Sequence, residues 1–296
     1  MTRIVCAGIT TLDYIYQLDA IPTAAVKYRS RHMTTSGGGL AGNAATACAR
    51  LGASVSLVSR LGDDPVAATM HDELVAEGID CALVRTYSGH RSPVSAVMVD
   101  PAGERMVVSY SDPDMPAATD WIPDDLGARA DAIYAETRWI EAAFKILPQA
   151  RAAGIPSVLD ADRRPTRPEV VGLASHVGFS ETALRDLTGI DDLPAALAEA
   201  ARHAANVLIV TDGPRGAWYM DKGRTIHAPA FAVEAVDTLG AGDTWHGALA
   251  VALAEGQPLA AAVRFANAAA ALKCTTFGGR EGMPRRERLD AFLKGA

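Results

Sequence analysis

Aromatic residues are scarce in this chain: Phe, Trp and Tyr make up 6% of its 296 residues. That leaves little material for sandwiching a flat base between rings. Cysteines are few as well. Cys6, Cys48, Cys81 and Cys274 are scattered with no C-x-x-C pair. This argues against a disulfide framework or a zinc site and suits reduced thiols in a cytoplasmic protein. No apolar run approaches the roughly 20 residues a membrane helix needs. The opening Met-Thr-Arg-Ile-Val-Cys-Ala-Gly has too short an apolar run for a signal peptide. Excess positive charge is also missing. The 28 Lys and Arg face 35 Asp and Glu, a net charge of -7. That argues against nucleic acid or an anionic membrane as main partner and leaves room for a local basic pocket. Two nucleotide motifs are absent. There is no Gly-x-x-x-x-Gly-Lys-Ser/Thr, and Gly240-x-Gly242 meets Trp245 where a dinucleotide fingerprint needs a third glycine. No internal repeat or low-complexity segment appears.

What is present is an α/β rhythm. Hydrophobic residues make up 49% of the chain, ample for a large core. Apolar runs predict strands at 4–8, 55–59, 132–135, 157–160, 177–180 and 207–211. Helical periodicity marks 41–51, 65–77, 141–153, 193–204, 243–255, 258–272 and 284–294. Pro194 and Pro258 fall where a first helical turn tolerates proline. Buried parallel strands read as continuous apolar runs, so this alternation predicts a doubly wound, mostly parallel sheet with helices on both faces. Two regions break the rhythm. Residues 12–35 lack helical period, and 93–110 read as two strands around Asp100-Pro-Ala-Gly-Glu, a hairpin turn. Residues 111–123, rich in Asp and Pro, read as a loop.

The most informative stretch is Asp237-Thr-Leu-Gly-Ala-Gly-Asp-Thr-Trp-His-Gly247, followed by the apolar run 248–254. It predicts a tight turn opening a helix. The first amides of a helix lack internal partners and carry the positive end of the dipole. Gly240, Ala241, Gly242 and Asp243 would therefore cradle an anion with their backbone N–H groups. Asp243 at the mouth of such a site would repel a resting phosphate. It would serve by taking a proton from an attacking hydroxyl, with the helix terminus lowering its pKa. On a bare Gly-x-Gly-Asp, the alternative is a simple N-cap.

Together with Gly37-Gly-Gly-Leu-Ala-Gly-Asn-Ala-Ala-Thr-Ala-Cys-Ala-Arg-Leu-Gly52, this stretch resembles the two signatures of the ribokinase, or PfkB, family of carbohydrate kinases. The two blocks stand in the family's order, and the resemblance spans essentially the whole chain, 1–296, as one kinase domain. It implies ATP-dependent phosphoryl transfer to a sugar hydroxyl. It also implies a small β-sheet lid from about 12–35 and 93–110 that doubles as a homodimer interface. On the sugar side it points to Asp13, Gly38, Gly39 and Asn43. On the nucleotide side it points to Ser180, Thr211, Gly213, Gly216, Gly242, Asn267, Thr275 and Gly279. Many relatives carry Asn-x-x-Glu where this chain has Ser180-Glu181-Thr182-Ala183. Mg²⁺ is then left to nucleotide phosphates, waters and Asp160 or Asp162. Some relatives hold a monovalent cation, K⁺, at the position of Asp237.

Cys6-Ala-Gly-Ile-Thr10, Gly278-Gly-Arg280, Glu136-Thr-Arg-Trp139 and Ser180-Glu181 look most like the 6-deoxy-6-sulfofructose kinase branch. There a lysine, an asparagine and an arginine hold the sulfonate. Lys27 and Arg138 match two of these positions, while Ser109 stands where asparagine is expected. The acceptor would be a ketohexose-like sugar, phosphorylated at C1 in the sulfonated case. A fructokinase, ribokinase or nucleoside kinase on the same scaffold is the alternative, with a purine acceptor disfavoured by the few aromatics. An inactive sugar- or nucleotide-binding sensor is a further alternative, opposed by the intact Asp243 and its turn.

Overall fold

The structure is a computed structural model and describes residues 1–295. The chain opens with β1 (Arg3–Ala7), β2 (Thr11–Gln17), β3 (His32–Gly38), α1 (Leu40–Arg50), β4 (Ser54–Gly62) and α2 (Pro65–Ala76). It continues through β5 (Asp80–Tyr87), β6 (Val94–Val99), β7 (Arg105–Tyr110), α3 (Leu126–Arg129), β8 (Ala132–Glu136), α4 (Ile140–Ala153) and β9 (Ser157–Ala161). Then come β10 (His176–Phe179), α5 (Glu181–Thr188), α6 (Leu193–Ala201), β11 (Val207–Thr211), β12 (Gly216–Asp221) and β13 (Arg224–Pro229). The last elements are α7 (Ala241–Ala254), α8 (Leu259–Cys274) and α9 (Arg286–Gly295).

Nine strands form one sheet in the order β13-β12-β11-β10-β9-β8-β1-β4-β5. From β11 to β5 every neighbouring pair is parallel; β12 and β13 close the edge antiparallel. Both faces are buried, and period-two alternation divides each strand between them. Ile4 and Cys6 pack with α1, α7 and α8, while Val5 and Ala7 pack with α4 on the opposite face. Fully burying each such Val or Ile is worth about 1.5–3 kcal/mol. The chain winds outward from β1 to β4 and β5, then returns to β8 on the other side of β1. The carboxyl ends of β1 and β8 therefore form the topological switch point, where doubly wound sheets open a crevice.

A second sheet has the order β3-β2-β6-β7. Its register aligns Ser36, Asp13, Ser95 and Ser109 in one row across all four strands. Three register steps along, on the other face, lie Met33, Tyr16, Met98 and Met106. Every residue of β7 is exposed, with Val108 at 60%.

Several expected boundaries shift. The strand at 177–180 stops at Phe179, because Ser180 turns away to cap α5. The helix expected from 243 begins at Ala241, and the one expected to 204 ends at Ala201. Pro258 is the cap of α8 and precedes its first turn. Residues 111–123 carry neither helix nor strand.

Candidate active site

The turn before α7 is built on Gly240, whose φ of 75° is left-handed and suits a residue without Cβ. Thr244 is the first residue taken up by the helix, donating its amide to the Gly240 carbonyl at 2.9 Å. The Ala241 amide donates to the Thr238 carbonyl at 3.2 Å. The expected row of four free donors thus loses its second member. Among the described residues, the Gly242 and Asp243 amides have no acceptor in the protein.

Asp243 stands in the first turn of α7 and is half-buried at the cavity. Asn43, from α1, donates to its Oδ2 at 2.7 Å. Asn43 is held in turn by Arg280, whose Nε reaches its Oδ1 at 3.1 Å and whose Nη2 reaches the Gly38 carbonyl at 3.3 Å. The Arg280 amide also donates to Ser36 Oγ at 3.3 Å. Burial pushes the Asp243 carboxyl up to about 6, with Asn43 and His246 pulling the other way. The expectation that the helix terminus lowers it is therefore corrected. Loss of water outweighs the dipole.

A cavity of about 450 Å³ opens at this carboxylate, and Asp13, Asn43, Ser95 and Ser109 line it. The polar row of the small sheet thus faces Asp243. Asp13 accepts from Thr11 Oγ1 at 2.9 Å, and Ser95 Oγ lies 3.2 Å from Ser109 Oγ. Burial raises the Asp13 carboxyl, opposed by the hydroxyls of Thr11 and Ser95. Gly38 ends β3 directly against the Asp13 carboxylate, and Gly39 caps α1 at the cavity wall. Arg60, Arg138 and Arg163 line another part of the wall. Lys27 does not. It is exposed on the segment between β2 and β3, so the expected Lys27–Arg138 pair is not assembled. The Arg138 guanidinium is instead claimed by Asp162, with Nε at 2.7 Å from Oδ2.

The nucleotide-side residues gather at the carboxyl ends of β10 and β11 and beside α8. Thr211 Oγ1 donates to the Phe179 carbonyl at 3.3 Å, and Ser180 Oγ accepts from the Ala183 amide at 3.0 Å. Gly213 opens a single 3₁₀ turn and Gly216 closes it. Gly279 lies against Ser36. Thr275 Oγ1 is spent on the Leu272 carbonyl at 2.7 Å. Asn267 is committed within the protein. Its Oδ1 accepts from Trp245 Nε1 at 2.7 Å, and its Nδ2 donates to the Ala228 and Pro229 carbonyls. It ties α7 and α8 to β13, with both of its amide N–H donors used within the protein.

The expected metal ligands are also corrected. Asp160 is 2% exposed and turned beneath α7, accepting from Tyr134 Oη at 3.0 Å and facing His246 Nδ1 at 3.2 Å. Burial, then the nearby Asp243 charge, pushes it well above the usual carboxylate range. Asp162 is occupied by Thr137 and Arg138. Among the described residues, no cluster of three or more His, Cys, Asp or Glu could hold a metal ion. The side chains present do not make a Mg²⁺ cage.

At Asp237, the position expected for K⁺, stands an ammonium of the chain itself. Lys273 Nζ, 0% exposed, lies 2.9 Å from the Asp237 carbonyl oxygen and 3.6 Å from its Oδ2. The carboxylate oxygens are further engaged by the Leu239 and Gly278 amides, at 2.8 and 2.9 Å. Charge and ligands are already satisfied there.

Sequence reasoning missed three residues. Glu136, at the switch point, accepts from the Ile9 and Trp139 amides at 2.9 and 3.2 Å and is pushed by burial to about 7. It was read only within the Glu136–Trp139 branch marker, not as a buried acid at the site. Arg280 was read only as a branch marker, and His246 only as part of the signature stretch.

Residues 1–286 match the profile of the pfkB family carbohydrate kinases. The chain is 30% identical to the ribokinase of Bacillus subtilis (strain 168) over 297 residues, covering 99% of this chain and 100% of that protein. It is 31% identical to a fructokinase of Klebsiella pneumoniae over 285 residues, 86% of this chain and 91% of that one. The Arabidopsis thaliana ribokinase solved with ribose and ATP superimposes with a TM-score of 0.85 at 25% identity, over 99% of this chain and 98% of that one. Fold and matches define a phosphotransferase with an alcohol group as acceptor, built on the ribokinase-like fold. The chain belongs to the pfkB family of carbohydrate kinases and is an ATP-dependent member of it.

Proposed function

We propose that the acceptor is a ketohexose-like sugar and that Asp243 is the base that activates its primary hydroxyl. The observation that carries this is the Asp243 carboxylate at the head of the cavity, held by Asn43 and facing Asp13, Ser95 and Ser109 of the polar row. Asp13 would accept from sugar hydroxyls, and charged hydrogen bonds of this kind are worth roughly 1.5–3 kcal/mol. Asp243 takes the hydroxyl proton. The sugar oxygen forms a bond to the γ-phosphorus of ATP, and the bond to the bridging oxygen breaks with its electron pair leaving on ADP. The free amides of Gly242 and Asp243 hold the charge that develops on the moving group. A carboxyl near 6 is a better base at neutral pH than an ordinary aspartate. Mg²⁺ would arrive with the nucleotide phosphates, since it keeps several waters and needs few protein ligands.

A sulfonated ketohexose, 6-deoxy-6-sulfofructose phosphorylated at C1, is a second reading. It is favoured by the Arg163 side chain on the cavity wall, beside Arg60 and the Asp162-paired Arg138. Planar guanidinium groups suit an anionic oxygen fork. The small sheet is read as a lid over the sugar. Its outer face, with Met33, Met106 and Val108 exposed, is read as the seam of a homodimer.

The test is ADP release with Mg-ATP across fructose, 6-deoxy-6-sulfofructose, tagatose, ribose and adenosine. The main reading expects the highest kcat/KM on a ketohexose. A preference for the sulfonated sugar selects the second reading, ribose or adenosine as best substrate overturns both, and turnover of any sugar removes the sensor alternative.

A further inference from the structure

His246 lies on α7 one turn after Gly242, and its ring is enclosed by acceptors. Nδ1 is 2.8 Å from the Gly242 carbonyl oxygen and 3.2 Å from Asp160 Oδ2. Nε2 is 3.1 Å from the carbonyl oxygen of Gly178 on β10. A Cβ at Gly178 would overlap that nitrogen, so the strand carries a glycine where the ring docks. Tyr134 on β8 completes the group, donating to Asp160 Oδ2 at 3.0 Å. His246, Asp160, Gly178 and Tyr134 are buried.

Counting donors fixes the ring's part in this cluster. An imidazolium offers an N–H on each nitrogen and satisfies both carbonyls while sharing Nδ1–H with Asp160. Either neutral tautomer would set a ring lone pair against a carbonyl oxygen. Burial is the largest influence on both groups, holding the imidazole below and the carboxyl well above their usual ranges, while the Gly242 and Gly178 carbonyls pull the ring back toward the charged form.

The Gly242 carbonyl shares its peptide unit with the Asp243 amide. That unit is planar, with C=O and N–H pointing in opposite directions. Holding the oxygen from inside the protein therefore aims the N–H outward. We infer that His246, locked by Asp160 and Tyr134, is a positioning residue that fixes the 242–243 peptide and aims the Asp243 amide at the transferring phosphoryl group. This rests on the reading of Asp243 and its turn given above.

Two substitutions separate this role from simple packing. His246→Asn keeps a donor at the Nδ1 position, on Gly242. His246→Gln keeps one at the Nε2 position, on Gly178. Both lose part of the buried cluster, so both lower Tm. The expected result is that His246→Gln loses about 10–100-fold in kcat with sugar KM unchanged, part of what a lost oxyanion-type donor costs. His246→Asn stays within a few-fold of the parent. Equal kcat losses in the two, or losses that follow Tm, would overturn the inference. Tyr134→Phe leaves α7 untouched and is expected to lower kcat severalfold with KM constant; an unchanged kcat removes Tyr134 from the arrangement and overturns the inference as stated. Asp243→Asn, run beside them, keeps the outcomes distinct. If it retains turnover, the base reading fails. If it is inactive while the Asn and Gln variants behave alike, only the role of His246 fails.

Discussion

The two sheets differ in what their faces touch. The nine-stranded sheet is apolar on both faces and covered by helices on both, so chemistry is confined to its strand ends and to the helix termini above them. The four-stranded sheet turns a polar row to the cavity and an apolar row outward. A small sheet of this kind has little burial of its own and depends on what covers it. The difference teaches a division of labour. As proposed, the large sheet holds the reacting groups in place, and the small one meets the sugar on one side and a second copy on the other.

Substitutions can break this division at successive points. The largest effect belongs to the large-sheet side. Asp243→Asn is expected to lower kcat by about 10²–10⁴-fold, the range of a general base, while nucleotide binding measured by calorimetry persists. In the parent, kcat/KM should fall tenfold per pH unit below about 6, where the carboxyl is protonated. The same shift carries a stability cost. The folded carboxyl titrates near 6 and the unfolded one near 3.8, so the stability contributed by the protonated form is present below about 4 and lost as pH rises through 6. Above pH 6 the variant should be more stable than the parent by about 1–3 kcal/mol, read as a higher Tm. A Tm that does not rise would contradict the burial argument.

On the inner face of the small sheet, Asp13→Asn should raise the sugar KM by about 10–100-fold, from a lost charged hydrogen bond, with nucleotide KM constant. A matching rise in both would mean that the sheet and the nucleotide site move together. On the outer face, Val108→Asp should halve the mass seen by light scattering while leaving far-UV circular dichroism unchanged. A dimer that survives it would move the interface elsewhere. The smallest effect is expected at Lys273. Replacing K⁺ by Na⁺ or choline at constant ionic strength should leave kcat unchanged, whereas K⁺ activation would show that the ammonium does not fill the cation's role.

Much of the large sheet was legible in the chain, because buried parallel strands are unbroken apolar runs such as Val-Leu-Ile-Val-Thr at 207–211. The turn at 240–243 was legible because its glycines and aspartate form a long, specific string. The small sheet was visible only in outline. Ser36, Ser95 and Ser109 are ordinary residues until strand register brings them beside Asp13. The misreadings share a cause. Sequence shows that an acid follows a strand or opens a helix; it does not show depth or facing. So Asp160, which points into the core, looked like a metal ligand, and Asp243 looked acidic because its loss of water was invisible. Nothing in the chain marks Lys273, which α8 carries to 0% exposure beside Asp237.

That ammonium has a consequence beyond the local geometry. An ion drawn from solution is present in proportion to its supply, and its loss or exchange can switch a site off. A charge carried on a lysine stem is present once per molecule, at every salt composition, and no chelator or dialysis removes it. The loop before the 240–243 turn is thereby expected to be indifferent to dissolved cations, and because burial lowers the lysine, a rise in pH is the condition that would discharge it.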